Sequence, residues 1–81
     1  MIWQEKNNKL QASFEFKNFT DAFAFMIEVA VQVEQLDHHP EWTNIWNKVT
    51  FKLCTHDAGD IVTEKDRVLA AAIDKVFTKY R

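Results

Sequence analysis

Apolar and polar side chains alternate at every position of residues 10–16. The apolar members are Leu10, Ala12, Phe14 and Phe16. A period of two is typical of a strand that buries one face, so a β-strand is predicted here. Two asparagines, Asn7 and Asn8, precede it and favour a turn, which makes residues 2–6 the predicted hairpin partner.

A helical pattern begins near Thr20, a residue that favours helix N-caps, and Phe19 ahead of it is placed to pack on the first turn. Apolar residues then recur at intervals of three and four: Ala22, Phe23, Met26, Ile27, Val29, Ala30 and Val33. This spacing predicts an amphipathic helix that buries these residues and ends near Leu36. Pro40 enforces the end, because it disfavours helical backbone at the residue before it.

The second half of the chain repeats the same kinds of pattern. Residues 42–55 are predicted to be extended, with Asn44 as the break between a short strand near residues 41–43 and a longer one. Thr63 and Asp66 match the capping box, a hydroxyl followed three residues later by a carboxylate, so a second helix is predicted to begin there. Its apolar stripe comprises Val68, Leu69, Ala72, Ile73, Val76, Phe77 and Tyr80.

The predicted order of elements is ββαββα. Two helices packed on one face of an antiparallel sheet would bury the alternating strand residues, which defines an α+β fold. The opposite face of the sheet is predicted to be polar and free for a ligand or another subunit. Its members are Gln11, Ser13, Glu15, Thr50, Lys52 and Cys54.

Composition limits the size of the core. The chain has 81 residues, of which 47% are apolar and 14% aromatic, so a single folded domain spanning residues 1–81 is predicted. A chain this short buries only about 60–65% of its unfolded surface. Because so many of its residues are aromatic, further burial against copies of itself is expected, which predicts a homo-oligomer.

Charge and cysteine content exclude several classes of protein. The formal net charge is −2 and lysine and arginine form no run, which argues against a nucleic-acid-binding face. One cysteine permits no intramolecular disulfide. The chain has no apolar run near the ~20 residues of a membrane span and no signal-peptide pattern, so a cytoplasmic protein without a membrane partner is predicted.

The candidate chemistry lies in His38, His39 and His56, which fall within nineteen residues. The first two follow the predicted first helix and the third follows a strand, and such junctions often carry binding groups. Glu34 and Asp37 fall in the last helical turn, where carboxylates oppose the helix dipole. Carboxylates there favour the protonated form of a nearby imidazole, which is then available as a general acid at neutral pH.

Structural interpretations of these residues stay open. A histidine pair before proline also occurs as a simple helix end. Three histidines with carboxylates also suit a zinc site, although adjacent extended residues point apart and rarely chelate together. By position alone, Asp66 is a capping residue, Trp42 and Trp46 belong to the core or an interface, and Cys54 is an inert thiol.

The longest motif is Glu34-Gln35-Leu36-Asp37-His38-His39-Pro40-Glu41-Trp42-Thr43-Asn44, followed by Trp46-Asn47-Lys48-Val49 and Thr55-His56-Asp57. Together with the ending Glu64-Lys65-Asp66, it resembles the pterin-4a-carbinolamine dehydratases over about residues 3–73. The Glu-x-x-x-His-His-Pro spacing, with His56 and Asp66 at suitable distances, is the specific part of this resemblance.

The resemblance implies an α+β fold with a four-stranded antiparallel sheet and two helices packed on one face, assembled as a homodimer or homotetramer. It implies dehydration of a 4a-hydroxytetrahydropterin to the quinonoid dihydropterin. That reaction recycles the pterin used by aromatic amino-acid hydroxylases, which makes such a hydroxylase the pathway partner. No cofactor and no metal are implied, because no electron changes hands.

Roles of single residues are implied by the same resemblance. His38 and His56 are similar to the general acids of the family, and His39, the third catalytic histidine, is similar to a residue that binds the substrate. Substrate-binding positions are implied at Glu34, Asp37, Trp42, Asp66 and Trp3.

The loop at residues 57–62 departs from the family pattern. Gly59-Asp60 stands where the family commonly has Gly-Gly, and the loop is one residue longer. The alternative function is a non-catalytic binding protein, since some animal members of the family act as dimerisation cofactors of a homeodomain transcription factor. The three histidines favour the enzyme, because an adaptor does not need protonatable groups at this place.

Overall fold

The computed structural model describes residues 2–80 and has the predicted order of elements. The strands are β1 (Gln4–Lys6), β2 (Lys9–Glu15), β3 (Glu41–Ile45) and β4 (Lys48–Leu53), and the helices are α1 (Phe19–Leu36) and α2 (Glu64–Phe77). A short 3₁₀ helix, His56–Ala58, lies between β4 and α2. The α+β fold predicted from the sequence is confirmed.

The four strands pair antiparallel in the order β1-β2-β4-β3, so β2 and β4 form the centre of the sheet. Three cross-strand pairs carry the core side of this ladder: Leu10 with Leu53, Ala12 with Phe51, and Phe14 with Val49. All six side chains are buried. The alternation along β2 places them on one face, because successive side chains of a strand point to opposite sides.

Aromatic side chains fill the space between the sheet and the helices. The ring centroid of Phe14 on β2 lies 4.7 to 5.8 Å from those of Phe25 on α1, Phe51 on β4 and Phe77 on α2. One buried ring therefore joins both helices to the sheet. Truncating a ring of this kind typically costs about 3–5 kcal/mol.

Helix α1 starts earlier than predicted and buries only part of the predicted stripe. Its N-cap is Asn18, whose side-chain oxygen accepts a hydrogen bond from the Asp21 N–H at 2.8 Å, so the N-cap predicted at Thr20 is wrong. Phe23 and Ile27, predicted to be buried, are 48% and 56% exposed. Ala22, Val29 and Val33 are buried as predicted, and Phe25 is buried although it was not part of the predicted stripe. The spacing misleads because α1 is apolar on two faces, and packing decides which one is covered.

The second apolar face of α1 is open to solvent. Phe19 is the first residue of the helix rather than a residue ahead of it, and its ring stacks on Phe23 with the centroids 5.6 Å apart. Ile27 and Val31 continue the line at intervals of four, and all four side chains are about half exposed. These four residues form the α1 row.

The turn between β3 and β4 also differs from the prediction. The break falls at Trp46 and Asn47, whereas Asn44, the predicted break, lies within β3. The Asn44 side-chain amide donates to the carbonyls of Trp46 and Lys48 at 3.1 and 3.0 Å. Asn44 therefore stabilises the turn from the strand beside it, and Trp46 adopts the left-handed backbone with φ 49°.

Helix α2 begins as predicted. Thr63 is the N-cap and Asp66 closes the capping box, its Oδ2 accepting the Thr63 backbone N–H at 2.9 Å. Within the helix, Leu69, Ile73 and Val76 are buried as expected, whereas Val68 is 44% exposed.

The sheet face opposite the helices is polar, as predicted, and its side chains are exposed or half-buried. The hydroxyls of Ser13 and Thr50 lie 3.0 Å apart across it. In the part of the chain that the structure describes, neither helix has both the length and the apolar character needed to cross a membrane.

Candidate active site

A pocket of about 220 Å³ opens where the end of α1, the end of β4 and the start of α2 meet. All three histidines of the chain line it. The lining comes from the stretches Asp37-His38-His39 and Cys54-Thr55-His56-Asp57 and from Lys65. The fold therefore brings the three candidate imidazoles and the predicted Asp37 together in one place.

The end of α1 sets the two adjacent histidines on an ordered turn. Asp37 has left-handed backbone with φ 51°, and its N–H donates to the Glu34 carbonyl at 3.3 Å. The His38 N–H donates to the Val33 carbonyl, also at 3.3 Å. These two bonds form a Schellman motif, with aspartate at the position that glycine usually takes.

His38 is held from behind by a buried carboxylate. Its Nε2 lies 2.6 Å from Oδ1 of Asp66, whose side chain is fully buried. The other oxygen, Oδ2, accepts hydrogen bonds from the Thr55 hydroxyl and the Thr63 backbone N–H, both at 2.9 Å. Burial of a carboxylate is tolerated when it is paired and hydrogen-bonded in this way. Asp66 lies behind His38 and is not among the residues that line the pocket.

The second nitrogen of His38 is not fully buried. Among residues 2–80, Nδ1 has no hydrogen-bond partner, and no side-chain nitrogen or oxygen in that range is both buried and unpaired. Nδ1 is therefore accessible, although the side chain as a whole is only 12% exposed. An imidazole fixed through one nitrogen can exchange a proton through the other.

His39 has a looser partner. Its Nε2 lies 3.1 Å from Oε1 of Glu34, and both side chains are mostly exposed. Exposed ion pairs of this kind contribute little to stability. Glu34 reaches the site only through His39, because it does not line the pocket itself.

His56 is the most exposed of the three histidines. Its Nδ1 lies 2.9 Å from Oδ1 of Asp60. The hydrogen bond to Asp60, the charge of Asp60 and the charge of Asp57 raise the pKa of His56 above its usual 6.5. The acidic neighbours that raise the pKa of His56 thus come from the stretch after β4.

Two predicted substrate-binding residues lie away from the pocket. Trp3 is buried in the core, and its Nε1 donates to Oδ1 of Asp74 on α2 at 2.8 Å. Trp42 is half-buried on β3 and packs on Phe51, with ring centroids 5.5 Å apart. Neither tryptophan lines the histidine pocket.

Some residues of the site were not predicted from the sequence. Thr55 and Lys65 line the pocket, and the Thr55 hydroxyl bonds Asp66. A threonine at a strand end and a lysine in a first helical turn are common, so neither residue type indicated a functional site. Asp60 was noticeable in the sequence, because it stands where the family commonly has glycine.

A zinc site, the alternative interpretation of the three histidines, would need several ligand side chains close together. Within residues 2–80, no three side chains of histidine, cysteine, aspartate or glutamate come together closely enough to hold a metal ion. His38 and His56 each direct one ring nitrogen to a carboxylate instead.

Comparison with known sequences identifies the family. The model for Pterin 4 alpha carbinolamine dehydratase matches residues 2–76. A relative from Prochlorococcus marinus strain MIT 9215, provisionally named a pterin-4-alpha-carbinolamine dehydratase, is 48% identical over 75 residues, covering 93% of this chain and 77% of the relative. A relative from Opitutus terrae with the same provisional name is 42% identical over 74 residues, covering 91% and 76%.

Two solved structures have the same fold. A transcriptional coactivator/pterin dehydratase from Brucella melitensis superposes with a TM-score of 0.88 at 40% identity, covering 93% of this chain and 81% of that chain. A pterin dehydratase-like protein, identified as a RuBisCO assembly factor in the alpha-carboxysome, gives a TM-score of 0.74 at 25% identity, covering 91% and 84%. Since the family model spans nearly the whole sequence, this chain belongs to the pterin-4-alpha-carbinolamine dehydratase family.

Proposed function

We propose that the chain is an active dehydratase that removes water from a 4a-hydroxytetrahydropterin by imidazole acid–base catalysis. The observation that carries the proposal is the pocket shared by His38, His39 and His56, in which each ring has one nitrogen bonded to a carboxylate. A non-catalytic binding protein does not require that arrangement. Family membership supplies the substrate class.

The proposed reaction needs a proton donor because hydroxide is a poor leaving group. An imidazolium N–H gives its proton to the departing 4a-hydroxyl, the C4a–O bond breaks, and water leaves. The ring nitrogens donate electron density to C4a, the N5 proton is lost to a neutral imidazole or to water, and the C4a–N5 double bond forms. A positioned acid contributes about 10²–10⁴-fold to the rate.

His38 is the first proposed acid. Because Nε2 is bonded to Asp66, proton transfer to the substrate occurs from the accessible Nδ1. The buried carboxylate fixes the orientation of the ring, as the orienting carboxylate does in other imidazole catalysts. Asp66 is therefore a positioning residue in this proposal and does not touch the pterin.

His56 is the second proposed acid, and it acts through Nε2, since Nδ1 is bonded to Asp60. Two acids on different walls of the pocket can serve either face of the carbinolamine. His39 and Asp37, which line the same pocket, are proposed to bind the polar edge of the pterin, with Glu34 orienting His39. In this role the protein acts on the product of an aromatic amino-acid hydroxylase.

The test generates the 4a-carbinolamine in situ with an aromatic amino-acid hydroxylase and follows its loss by absorbance. Wild type should exceed the spontaneous rate, and His38→Ala and His56→Ala should each lower the enzymatic rate by about 10²-fold or more. Thr43→Ala, an exposed change on β3 away from the pocket, is the matched control and should retain full activity. A wild-type rate equal to the spontaneous one would refute the proposal.

We also propose that the chain forms a homo-oligomer through the α1 row. Phe19, Phe23, Ile27 and Val31 present a continuous apolar ridge on an 18-residue helix. Contiguous exposed apolar surface of this kind marks an interaction site, and a two-fold interface would pair the ridge with its own copy. The same ridge is the feature that favours the alternative function, a binding protein for a transcription regulator.

A further inference from the structure

Asp60 lies in the loop between β4 and α2, with its carboxylate against the imidazole of His56 at 2.9 Å. We propose that Asp60 is a positioning residue that fixes the orientation and tautomer of His56 for proton transfer. This inference rests on the proposed dehydratase function, and it concerns the position at which the loop departs from the family's usual glycine.

The backbone of the loop holds this carboxylate in place. The Thr55 N–H donates to the Ile61 carbonyl at 2.8 Å, which closes the base of the loop. The Asp60 N–H donates to the Thr55 carbonyl at 3.1 Å, and the Gly59 N–H donates to the His56 carbonyl at 3.0 Å. Because Thr55 is buried and bonded to Asp66, this base is anchored to the same network that holds His38.

The backbone of Asp60 adopts a conformation that few residues other than glycine tolerate. Its φ is 61°, in the left-handed region, where glycine is the easiest residue to accommodate. Aspartate is among the few other residues that this region tolerates, because its short polar side chain can bond locally. The extra residue and the aspartate together bring a carboxylate to His56 that Gly-Gly would not supply.

The chemical consequence concerns which nitrogen carries the reactive proton. A carboxylate accepts a hydrogen bond only from a protonated ring nitrogen, so Asp60 keeps the hydrogen on Nδ1 and leaves Nε2 for the pocket. The pKa of His56 is raised, first by the hydrogen bond to Asp60, then by the charges of Asp60 and Asp57.

The other charged groups around His56 do not replace Asp60. Lys65 of α2 lines the same pocket, but an ammonium group cannot accept a hydrogen bond from His56. Asp37, His38 and His39 complete the titratable groups that face the pocket from the end of α1. None of these groups is bonded to His56 within residues 2–80, so the orientation of its ring depends on Asp60.

The experiment compares Asp60→Asn with Asp57→Asn. Both substitutions remove one negative charge beside His56, but only Asp60 is hydrogen-bonded to it. Nitrogen-15 NMR of the full chain reports the tautomer and the pKa of His56 without substrate. We expect Asp60→Asn to reduce the Nδ1–H tautomer and to lower the pKa of His56 more than Asp57→Asn does.

Kinetics provide the second readout. The kcat of Asp60→Asn should fall by about two- to five-fold at pH 8, with KM unchanged, because an exposed pair exerts a modest effect. The alkaline limb of its pH profile should move to lower pH. Asp60→Gly, which relieves the left-handed backbone while removing the carboxylate, should behave like Asp60→Asn.

The outcomes separate this inference from the function it rests on. If wild type is inactive, the dehydratase proposal fails, and the NMR titration still decides the role of Asp60. If wild type is active but Asp60→Asn has the wild-type tautomer, pKa and pH profile, the inference is overturned. If only Asp60→Gly lowers kcat, the effect comes from the loop conformation and not from the carboxylate, and the inference is also overturned.

Discussion

The imidazole of His38 and the carboxylate of Asp66 lie 2.6 Å apart, and the carboxylate has no exposure to solvent. The same Asp66 completes the capping box of α2 through Oδ2. One side chain thus joins the start of a helix to a candidate catalytic ring. We therefore expect stability and the proposed activity to be coupled at this residue, and substitutions at the helix cap and at the pair with His38 test the coupling.

Asp66→Asn keeps the volume of the side chain but removes the carboxylate that is bonded to His38. We expect it to lower the free energy of unfolding by about 1–3 kcal/mol, because a buried network is left imperfectly satisfied. The dehydratase rate should fall by a factor on the order of 10² or more, since an orienting carboxylate can be worth about 10⁴ in other imidazole catalysts. Urea unfolding and the carbinolamine assay measure the two effects.

Thr63→Ala is the matched control for that substitution. It removes the N-cap hydroxyl of α2, which also contacts the Thr55 hydroxyl. The contact between His38 and Asp66 remains. The expected loss is about 1 kcal/mol of stability, with most of the activity retained. If Thr63→Ala loses as much activity as Asp66→Asn, the helix cap and not the His38–Asp66 pair would account for the effect.

The α1 row makes a prediction about assembly. Ile27→Lys places a charge at the middle of the row, where the native side chain is 56% exposed. The isolated subunit should keep its fold, because exposed substitutions usually change stability by no more than about 0.5 kcal/mol. The oligomer should dissociate, because the lysine would be buried without a partner at the interface. Light scattering coupled to size exclusion measures the mass of each species.

Ile45→Lys is the control for this prediction. Ile45 is 70% exposed and belongs to the edge strand β3 instead of α1. The variant should keep the wild-type oligomeric mass. Dissociation by Ile45→Lys, with no effect of Ile27→Lys, would move the interface to the edge of the sheet.

Local signals explain which parts of the fold were predictable. The start of α2 was predicted correctly because Thr63 and Asp66 are three residues apart and bond within a single turn. The buried face of α1 was predicted only in part. Phe23 and Phe25 are equally apolar, and only the position of the sheet distinguishes the exposed ring from the buried one. Hydrophobic spacing specifies a helix, and it specifies a face only when the opposite face is polar.

The candidate site was also predictable only in part. His38 and His39 were recognisable because the helix end and Pro40 are contiguous with them in sequence. The partners that give these rings their geometry are distant, as with Asp66, or depend on loop closure, as with Asp60. Trp3 could not be placed in advance, since its contact with Asp74 spans 71 positions of the chain.

The N-cap of α1 offers a direct comparison of the two candidate residues. Asn18→Ala should lower the free energy of unfolding by about 1 kcal/mol, because the Asp21 N–H loses its acceptor. Thr20→Ala, at the position that the sequence predicted, lies inside the helix and should change stability by no more than a few tenths of a kcal/mol. Thermal and urea unfolding of both variants measure the difference. A larger loss from Thr20→Ala would contradict the observed cap.

The hydroxyl of Tyr80 donates to the Glu28 carboxylate and so joins the segment that follows α2 to α1. This hydrogen bond, followed by burial, raises the pKa of Tyr80 to about 12 from its usual 10. Because the pKa of Tyr80 is higher in the folded state, its hydroxyl stabilises the fold fully below pH 10. This stabilisation is lost as the pH rises towards 12. Tyr80→Phe keeps the ring that packs on Phe16 and Phe25 and should cost about 0.5–1.5 kcal/mol at pH 8. The difference between wild type and variant, measured by urea unfolding, should shrink between pH 10 and 12, and a constant difference would show that the hydroxyl does not stabilise the fold through Glu28.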